Sequence, residues 1–284
     1  MIAVTGTTGE LGGRVARRLA DRGVAQRLVV RDAARAPALA GAEVAVADYA
    51  DAAALRTALA GADTLMFVSA SETDGRAGMH RGVVDAGVAA GVGRVVYTSF
   101  VGAAAAATFT FARDHWQTEE HLRATGVRHT ILRDNLYLDE FPVLVWPDGV
   151  IRGPGGDGRI GAVARDDIAD AAVAVLLDGD AHDGATYDLT GPATVSLAEA
   201  AAELTRAGGR EVRYHDETAD EAYASRAVYG APDWEVAGWV TMYEAIANGE
   251  MDVLTDHVER LAGHPPVSLA EYLSTSGFPR PDAR

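Results

Sequence analysis

The run Met1-Ile-Ala-Val-Thr-Gly6-Thr-Thr-Gly9-Glu-Leu-Gly12-Gly13 places glycine at every third position behind a short apolar strand. A helix-like stretch, Arg14-Val-Ala-Arg-Arg-Leu19-Ala, follows. Strand, glycine turn and helix together seat a dinucleotide pyrophosphate on a helix N-terminus. Gly6 permits the tight turn, Gly9 keeps a Cβ out of the path of the phosphates, and Gly12 lets the helix close on the strand. Gly6, Thr7, Thr8, Gly9, Glu10 and Leu11 are therefore expected to touch a cofactor. The second strand candidate runs out into Val30-Arg31-Asp32, where a dinucleotide fold reads the adenosine ribose. Arg31 suits a 2′-phosphate, with Arg35 as a second contact, so NADP(H) is expected over NAD. Asp32 competes as a carboxylate able to turn toward a ribose hydroxyl, and a solvated strand-end arginine is the plainer alternative for Arg31. Asp48 and Tyr49 follow the third strand candidate, placed to meet an adenine amino group and ring. They equally fit a lead-in to a helix capped by Asp51.

The fourth and fifth strand candidates end in Val68-Ser69-Ala70-Ser71 and Thr98-Ser99-Phe100. Ligands of open α/β sheets bind at the carboxyl ends of the strands, so these small residues are expected beside the nicotinamide ribose. His115 and Glu119 stand four apart on one helix face. A carboxylate there would orient the imidazole and raise its pKa, making His115 the candidate proton donor; an exposed His–Glu pair is the alternative. His80, Asn135, Tyr137, Phe141 and Trp146 are candidates for a substrate pocket, against packed or capping roles for His80 and core roles for Phe141 and Trp146. His, Asp and Glu show no metal-ligand spacing, and no metal site is expected. Asp166-Asp167 reads as the capped start of a helix.

These residues need a scaffold, and the chain alternates strand and helix candidates at βαβ spacing. Strands are expected at 2–5, 27–31, 43–47, 64–68, 94–98 and 128–132. Helices are expected at 11–22, 34–40, 52–60, 76–90 and 114–125. Gly23, Gly41, Gly61, Gly91 and Gly126 each fall just past one of these helices, at the C-cap position. Beyond residue 133 aromatics and prolines cluster, with strand-like runs at 159–164 and 185–190. Helices are expected there at 166–177, 196–207, 219–229, 234–248 and 269–273. The reading is α/β: a Rossmann-type doubly wound parallel sheet over residues 1–133, and over 134–284 the remaining strands interleaved with a small, mostly helical substrate cap.

The 284 residues suffice for a large buried core, and the net charge of −16 disfavours a nucleic-acid partner. No cysteine is present, which excludes disulfides and thiol nucleophiles. No apolar run spans a bilayer and no leader precedes the first strand, so a cytoplasmic protein without a membrane partner is expected. All 25 basic residues are arginine.

In the residues Ile2–Gly12, Val30–Asp32, Ala47–Tyr49, His80 with Ala86–Gly91, Val96–Ser99, His115–Glu119, Leu132–Tyr137 and Leu261–His264, the chain resembles the NmrA-like atypical short-chain dehydrogenases. Within them it resembles the group of type-2 NAD(P)H:quinone oxidoreductases and triphenylmethane reductase. The resemblance implies the fold and NADP(H) binding but no particular substrate. The family often has Asn directly after the arginine of the sixth strand, where this chain has Asp134. Ordinary short-chain dehydrogenases use Tyr-x-x-x-Lys, the lysine lowering the tyrosine pKa and holding the nicotinamide ribose. A chain without lysine has no such dyad; Val101 stands four residues after Tyr97. The expectation is an NADPH-dependent reductase, a monomer or homodimer, passing hydride to a quinone or similar conjugated small molecule. A cofactor-sensing regulator without turnover and an epimerase or isomerase of a biosynthetic intermediate are the alternatives.

Overall fold

The computed structural model describes residues 1–276. In chain order its first half holds β1 (Ile2–Thr5), α1 (Glu10–Asp21), β2 (Gln26–Val30), β3 (Ala42–Val46), α2 (Ala52–Leu59), β4 (Thr64–Phe67), α3 (Arg76–Ala89), β5 (Arg94–Phe100), α4 (Thr110–Thr125) and β6 (Arg128–Asp134). There follow β7 (Val150–Gly153), β8 (Arg159–Ile160), α5 (Arg165–Leu177), β9 (Thr186–Leu189), β10 (Val195–Ser196), α6 (Leu197–Gly208) and β11 (Arg213–Asp216). The chain closes with α7 (Ala219–Arg226), α8 (Asp233–Ala247), α9 (His257–Ala262) and α10 (Leu269–Thr275). None of the described helices is long and apolar enough to cross a membrane.

Seven strands form one sheet in the order β3-β2-β1-β4-β5-β6-β9. β1 pairs in parallel with both β2 and β4, so the order of the strands reverses there. In a doubly wound sheet that reversal opens the crevice for a ligand at the carboxyl ends of the strands. The apolar runs of β1 and β5 are buried on both faces, as a parallel sheet covered by helices requires. Ala3, Leu65, Phe67, Val83, Val95 and Tyr97 belong to one core cluster beneath α2 and α3. On the other face α1 buries Leu11, Val15, Ala16 and Leu19. Its polar side reaches α5: Arg18 donates to Asp170 at 2.9 Å and to Asp166 at 2.7 Å.

The chain divides into two compact units. The first is Met1–Phe100, Asp114–Arg133 and Arg165–Tyr187; the second is Val101–Arg113, Asp134–Ala164 and residues 188–276. Within the second, β7 pairs in parallel with β11 and β8 antiparallel with β10. Arg226 there forms a buried ion pair with Glu217 at 3.0 Å.

Three local expectations change. Residues 34–40 do not form a helix: a 3-10 turn covers Ala33–Arg35 only. Pro37 has no N–H to give and forces Ala36 into extended backbone, φ −62° and ψ 134°. The helix expected from Asp114 begins at Thr110, because the Thr110 N–H finds its acceptor in Thr241 Oγ1, 131 residues away. The strand expected over 159–164 stops at Ile160, since Gly161 and Val163 donate instead to the carbonyls of Met251 and Leu136. Strands β7, β10 and β11 and helix α9 are too short to have shown a period. The five glycines expected at C-caps all lie at positive φ, 70° to 84°. Gly41 does so without a preceding helix; it follows Leu39, whose carbonyl accepts from the Ala42 N–H.

Candidate functional site

The turn after β1 is built around its glycines. Gly6 has φ +66°, and a Cβ on it would lie 3.1 Å from Val68 Cβ. The Gly9 N–H donates to the Gly6 carbonyl at 2.9 Å, closing the turn. A Cβ on Gly12 would stand 2.4 Å from that same carbonyl oxygen and 2.7 Å from that of Thr5. Gly9 caps α1 with no side-chain hydrogen bond, which leaves the first-turn N–H groups for an external acceptor. Thr7 Oγ1 is buried in this turn and has no hydrogen-bond partner among the described residues. Thr8 is exposed, Leu11 is buried, and the Glu10 carboxylate is held by Arg14, whose hydrogen bond keeps it below the usual carboxylate range. A narrow backbone cradle, an uncapped helix start and an orphaned hydroxyl fit a pyrophosphate.

At the end of β2, Arg31 and Arg35 are exposed and make no ion pair among the described residues. Asp32 instead turns back to its own chain, accepting from the Ala34 N–H at 2.9 Å. The Asp32 carboxylate is thus engaged by its own backbone, while the Arg31 and Arg35 guanidinium groups stand exposed. Asp48 likewise accepts from the Ala50 N–H at 2.9 Å, and Asp51 caps α2. Tyr49 sets its ring edge-on to Phe67 and donates its hydroxyl to the Val68 carbonyl at 2.7 Å. Burial pushes that hydroxyl's pKa up.

Beyond β4 the backbone is held by side chains in place of a ladder. Thr5 Oγ1 accepts from the Val68 N–H at 3.0 Å, and Thr98 Oγ1 accepts from the Ser69 N–H at 2.9 Å. The Ala70 N–H donates to His80 Nε2 at 3.0 Å, and Arg76 Nε donates to the Ala70 carbonyl at 2.9 Å. Ser71, the next residue, is exposed.

His80 and His115 lie in one buried polar cluster with Arg76, Tyr97 and Thr118. Proton positions follow from the ends of the network. A guanidinium only donates, so Arg76 Nη2 gives a proton to His115 Nε2 at 3.0 Å. The neutral ring then carries its hydrogen on Nδ1 and donates to the Tyr97 hydroxyl at 2.8 Å. A backbone N–H also only donates, so His80 accepts on Nε2 and donates from Nδ1 to Thr118 Oγ1 at 3.0 Å. Thr118 passes its own hydrogen to the Asp114 carbonyl at 2.8 Å. Burial, reinforced by the Arg76 cation, pushes His80 down to about 3. Burial, then Arg76 and His80, holds His115 well below the ordinary imidazole range. Its ring stacks on Phe100 with centroids 6.2 Å apart.

The anticipated coupling of His115 to Glu119 is corrected by this geometry. Glu119 is fully buried, but its carboxylate accepts from Ser99 Oγ at 2.6 Å and from Arg133 at 2.7 and 2.8 Å. It stabilises those donors and does not raise the imidazole pKa. His115 is a neutral, buried ring aligned by Arg76 and Tyr97. Sequence reasoning missed Arg76 and Thr118; Arg76 precedes His80 by four residues and shares its helix face, which was the available signal.

The remaining pocket candidates belong to the second unit. Asn135 is buried, its amide nitrogen donating to the Met251 carbonyl at 3.0 Å and its oxygen accepting from the Leu136 N–H. Tyr137 donates to Asp134 at 3.2 Å. Phe141 is 1% exposed and lies in the core. Trp146 is half-buried, edge-on to Tyr229, with the Arg152 guanidinium 4.8 Å above its ring. Tyr229 in turn meets Trp239 edge-on, giving an aromatic cluster of which only Trp146 was foreseen. Asp166, read as a capping residue, pairs with Arg14 and Arg18.

Residues 6–179 match the NAD(P)H-binding family. The chain is 37% identical over 283 residues to quinone oxidoreductase 2 of Escherichia coli, covering 96% of this chain and 98% of that protein. The crystal structure of the NADPH-dependent quinone oxidoreductase from Escherichia coli complexed with NADPH superposes with a TM-score of 0.87 at 35% identity, over 96% of this chain and 99% of that one. Triphenylmethane reductase of Citrobacter sp. superposes with a TM-score of 0.85 at 31% identity, over 98% and 99% of the two chains. Cradle, sheet order and these likenesses agree, and the chain belongs to the NAD(P)H-binding family.

Proposed function

We propose that this protein is an NADPH-dependent reductase whose acceptor is a quinone or another flat conjugated molecule, reduced without a Tyr–Lys dyad. The observation that carries the reading is the backbone cradle of Gly6, Gly9 and Gly12 in a chain that has no lysine. When bound there, NADPH supplies a hydride. Gly6 through Leu11 hold the pyrophosphate, Arg31 with Arg35 the 2′-phosphate, and Asp48 with Tyr49 flank the adenine. Val68 to Ser71 and Thr98 to Phe100 carry the nicotinamide end. A conjugated acceptor needs little covalent help, and the chain provides proximity and orientation. The reduced acceptor is an enolate- or phenolate-like anion that takes its proton from water or through His115. His115 cannot serve as a standing imidazolium, because burial keeps its ring neutral. The relatives named as quinone oxidoreductase and triphenylmethane reductase support acceptors of this class.

Stopped-flow absorbance at the reduced-nicotinamide band, with a panel of benzo- and naphthoquinones, tests the proposal. Oxidation of NADPH tied one-to-one to quinone reduction is expected. Tight NADPH binding with no oxidation by any acceptor overturns it.

A further inference from the structure

We propose that Arg76 and His80 are positioning residues for the nicotinamide half of the cofactor, holding the Ala70 peptide from both sides. The inference rests on the NADPH reading above. Five of the six backbone N–H and carbonyl groups of Val68, Ser69 and Ala70, just beyond β4, are each bonded to a side chain. The Val68 N–H goes to Thr5 and the Val68 carbonyl accepts from Tyr49. The Ser69 N–H goes to Thr98, the Ala70 N–H to His80, and the Ala70 carbonyl accepts from Arg76. These side chains come from β1, the segment after β3, β5 and α3, so the shelf is fixed from every neighbouring element. It starts where Val68 abuts Gly6, at 3.1 Å from the position of a Gly6 Cβ, and so continues the cradle. A ligand whose phosphates lie in the cradle extends along the carboxyl edge from β1 toward β4 and β5.

Two facts separate Arg76 from an ordinary packing residue. It is 3% exposed yet has no carboxylate within ion-pair distance among the described residues, an arrangement that costs stability. Its Nη1 is buried with no acceptor at all, while Nε and Nη2 serve Ala70 and His115. Arg76 thus places a cation and a surplus donor beside the shelf. A shelf locked in advance lowers the ordering cost of binding the nicotinamide end. In a chain without lysine, this clamp does the positioning that lysine gives the Tyr-x-x-x-Lys enzymes.

The test compares NADPH with 2′,5′-ADP, which carries the adenine half alone. Binding is followed by nicotinamide fluorescence for NADPH and by its displacement for 2′,5′-ADP, with no acceptor present. In Arg76→Met and His80→Leu, the affinity for 2′,5′-ADP should stay within about twofold, while that for NADPH falls about tenfold, equal to roughly 1.4 kcal/mol. The emission gained by the bound nicotinamide should fall with it. Arg76→Lys and His80→Gln, which keep a donor and an acceptor, should recover part of both signals and serve if the first variants do not fold. Equal losses for the two ligands, or none for either, overturn the proposal. Because the readout needs no turnover, wild-type protein that binds NADPH but reduces no quinone defeats the functional reading and leaves this one standing.

Discussion

Gly12→Ala adds one methyl group where three backbone atoms already stand. The new Cβ would lie 2.4 Å from the Gly6 oxygen, 2.5 Å from the Gly6 carbonyl carbon and 2.7 Å from the Thr5 oxygen. None of these is a side-chain end that can swing away, so α1 must lift from β1. Alanine in a helix interior is worth about 1 kcal/mol over glycine. Overpacking against fixed atoms costs about 1–3 kcal/mol, and three contacts place this site at the upper end. The net expectation is a loss of about 2 kcal/mol, which lowers Tm by roughly 4–8 °C in a chain of this size. Gly13→Ala is the internal control, since its Cβ would meet the Thr7 oxygen at 3.1 Å and otherwise only the Arg17 side chain. That variant should melt within about 1–2 °C of wild type. Because the displaced atom is the carbonyl that closes the phosphate turn, Gly12→Ala should also weaken NADPH by about tenfold, or roughly 1.4 kcal/mol. Thermal denaturation and fluorescence titration of the two variants side by side decide the matter. A Gly12→Ala protein as stable and as tight-binding as Gly13→Ala refutes the reasoning.

Arg31→Asp should shift the ratio of NADPH to NADH affinity by roughly 10–100-fold toward NADH, the worth of charge-assisted hydrogen bonds to a phosphate; an unchanged ratio means that Arg31 does not read the 2′-phosphate. His80 and His115 have folded pKa values below the ordinary 6.5, so their contribution is complete above that pH and is lost as pH falls. Between pH 7 and 5 His80, pushed down to about 3, should remove roughly 2 kcal/mol of stability, because only the unfolded ring takes up a proton, and His115 acts in the same direction. Urea midpoints at both pH values should show a loss of at least that size in wild type and a smaller one in His80→Gln, and an undiminished loss in the variant contradicts the assignment. Arg226→Met strands the buried Glu217 carboxylate, whose partner lies at 3.0 Å, and should cost about 3–5 kcal/mol in a thermal or urea melt. The double variant with Glu217→Leu should recover most of the loss; no recovery would mean that Arg226 acts through packing on Tyr243 instead.

The parallel sheet was legible because most of its units carry two agreeing signals, a β-branched run and a glycine just past the helix. Gly23, Gly61, Gly91 and Gly126 stand at positive φ after real helices, as their spacing implied. The 34–40 helix fails because Pro37 lies inside it, withdrawing an N–H and holding Ala36 extended. β7 and β11 went unseen because they pair with each other across a long stretch of chain, and four-residue strands carry little period of their own. At the site, the cradle could be read from local sequence, since its geometry is local. The histidine cluster could not. His115 and Glu119 do share a helix face, yet Ser99 and Arg133 on the neighbouring strands claim the carboxylate. Only tertiary structure shows that Arg76 is the partner of the imidazole.

The threading of the first unit bears on how the chain emerges from a ribosome. Its three segments end at Tyr187, and α5, the partner of Arg18, is made long after α1. At roughly 5–20 residues per second, synthesis from residue 134 to 187 takes about 3–10 s. Throughout that interval the outer face of α1 and the far edge of β6 lack the elements that later cover them. The nascent chain should therefore depend on holding factors, or on its strong acidic charge, to stay apart from its neighbours until α5 and β9 arrive.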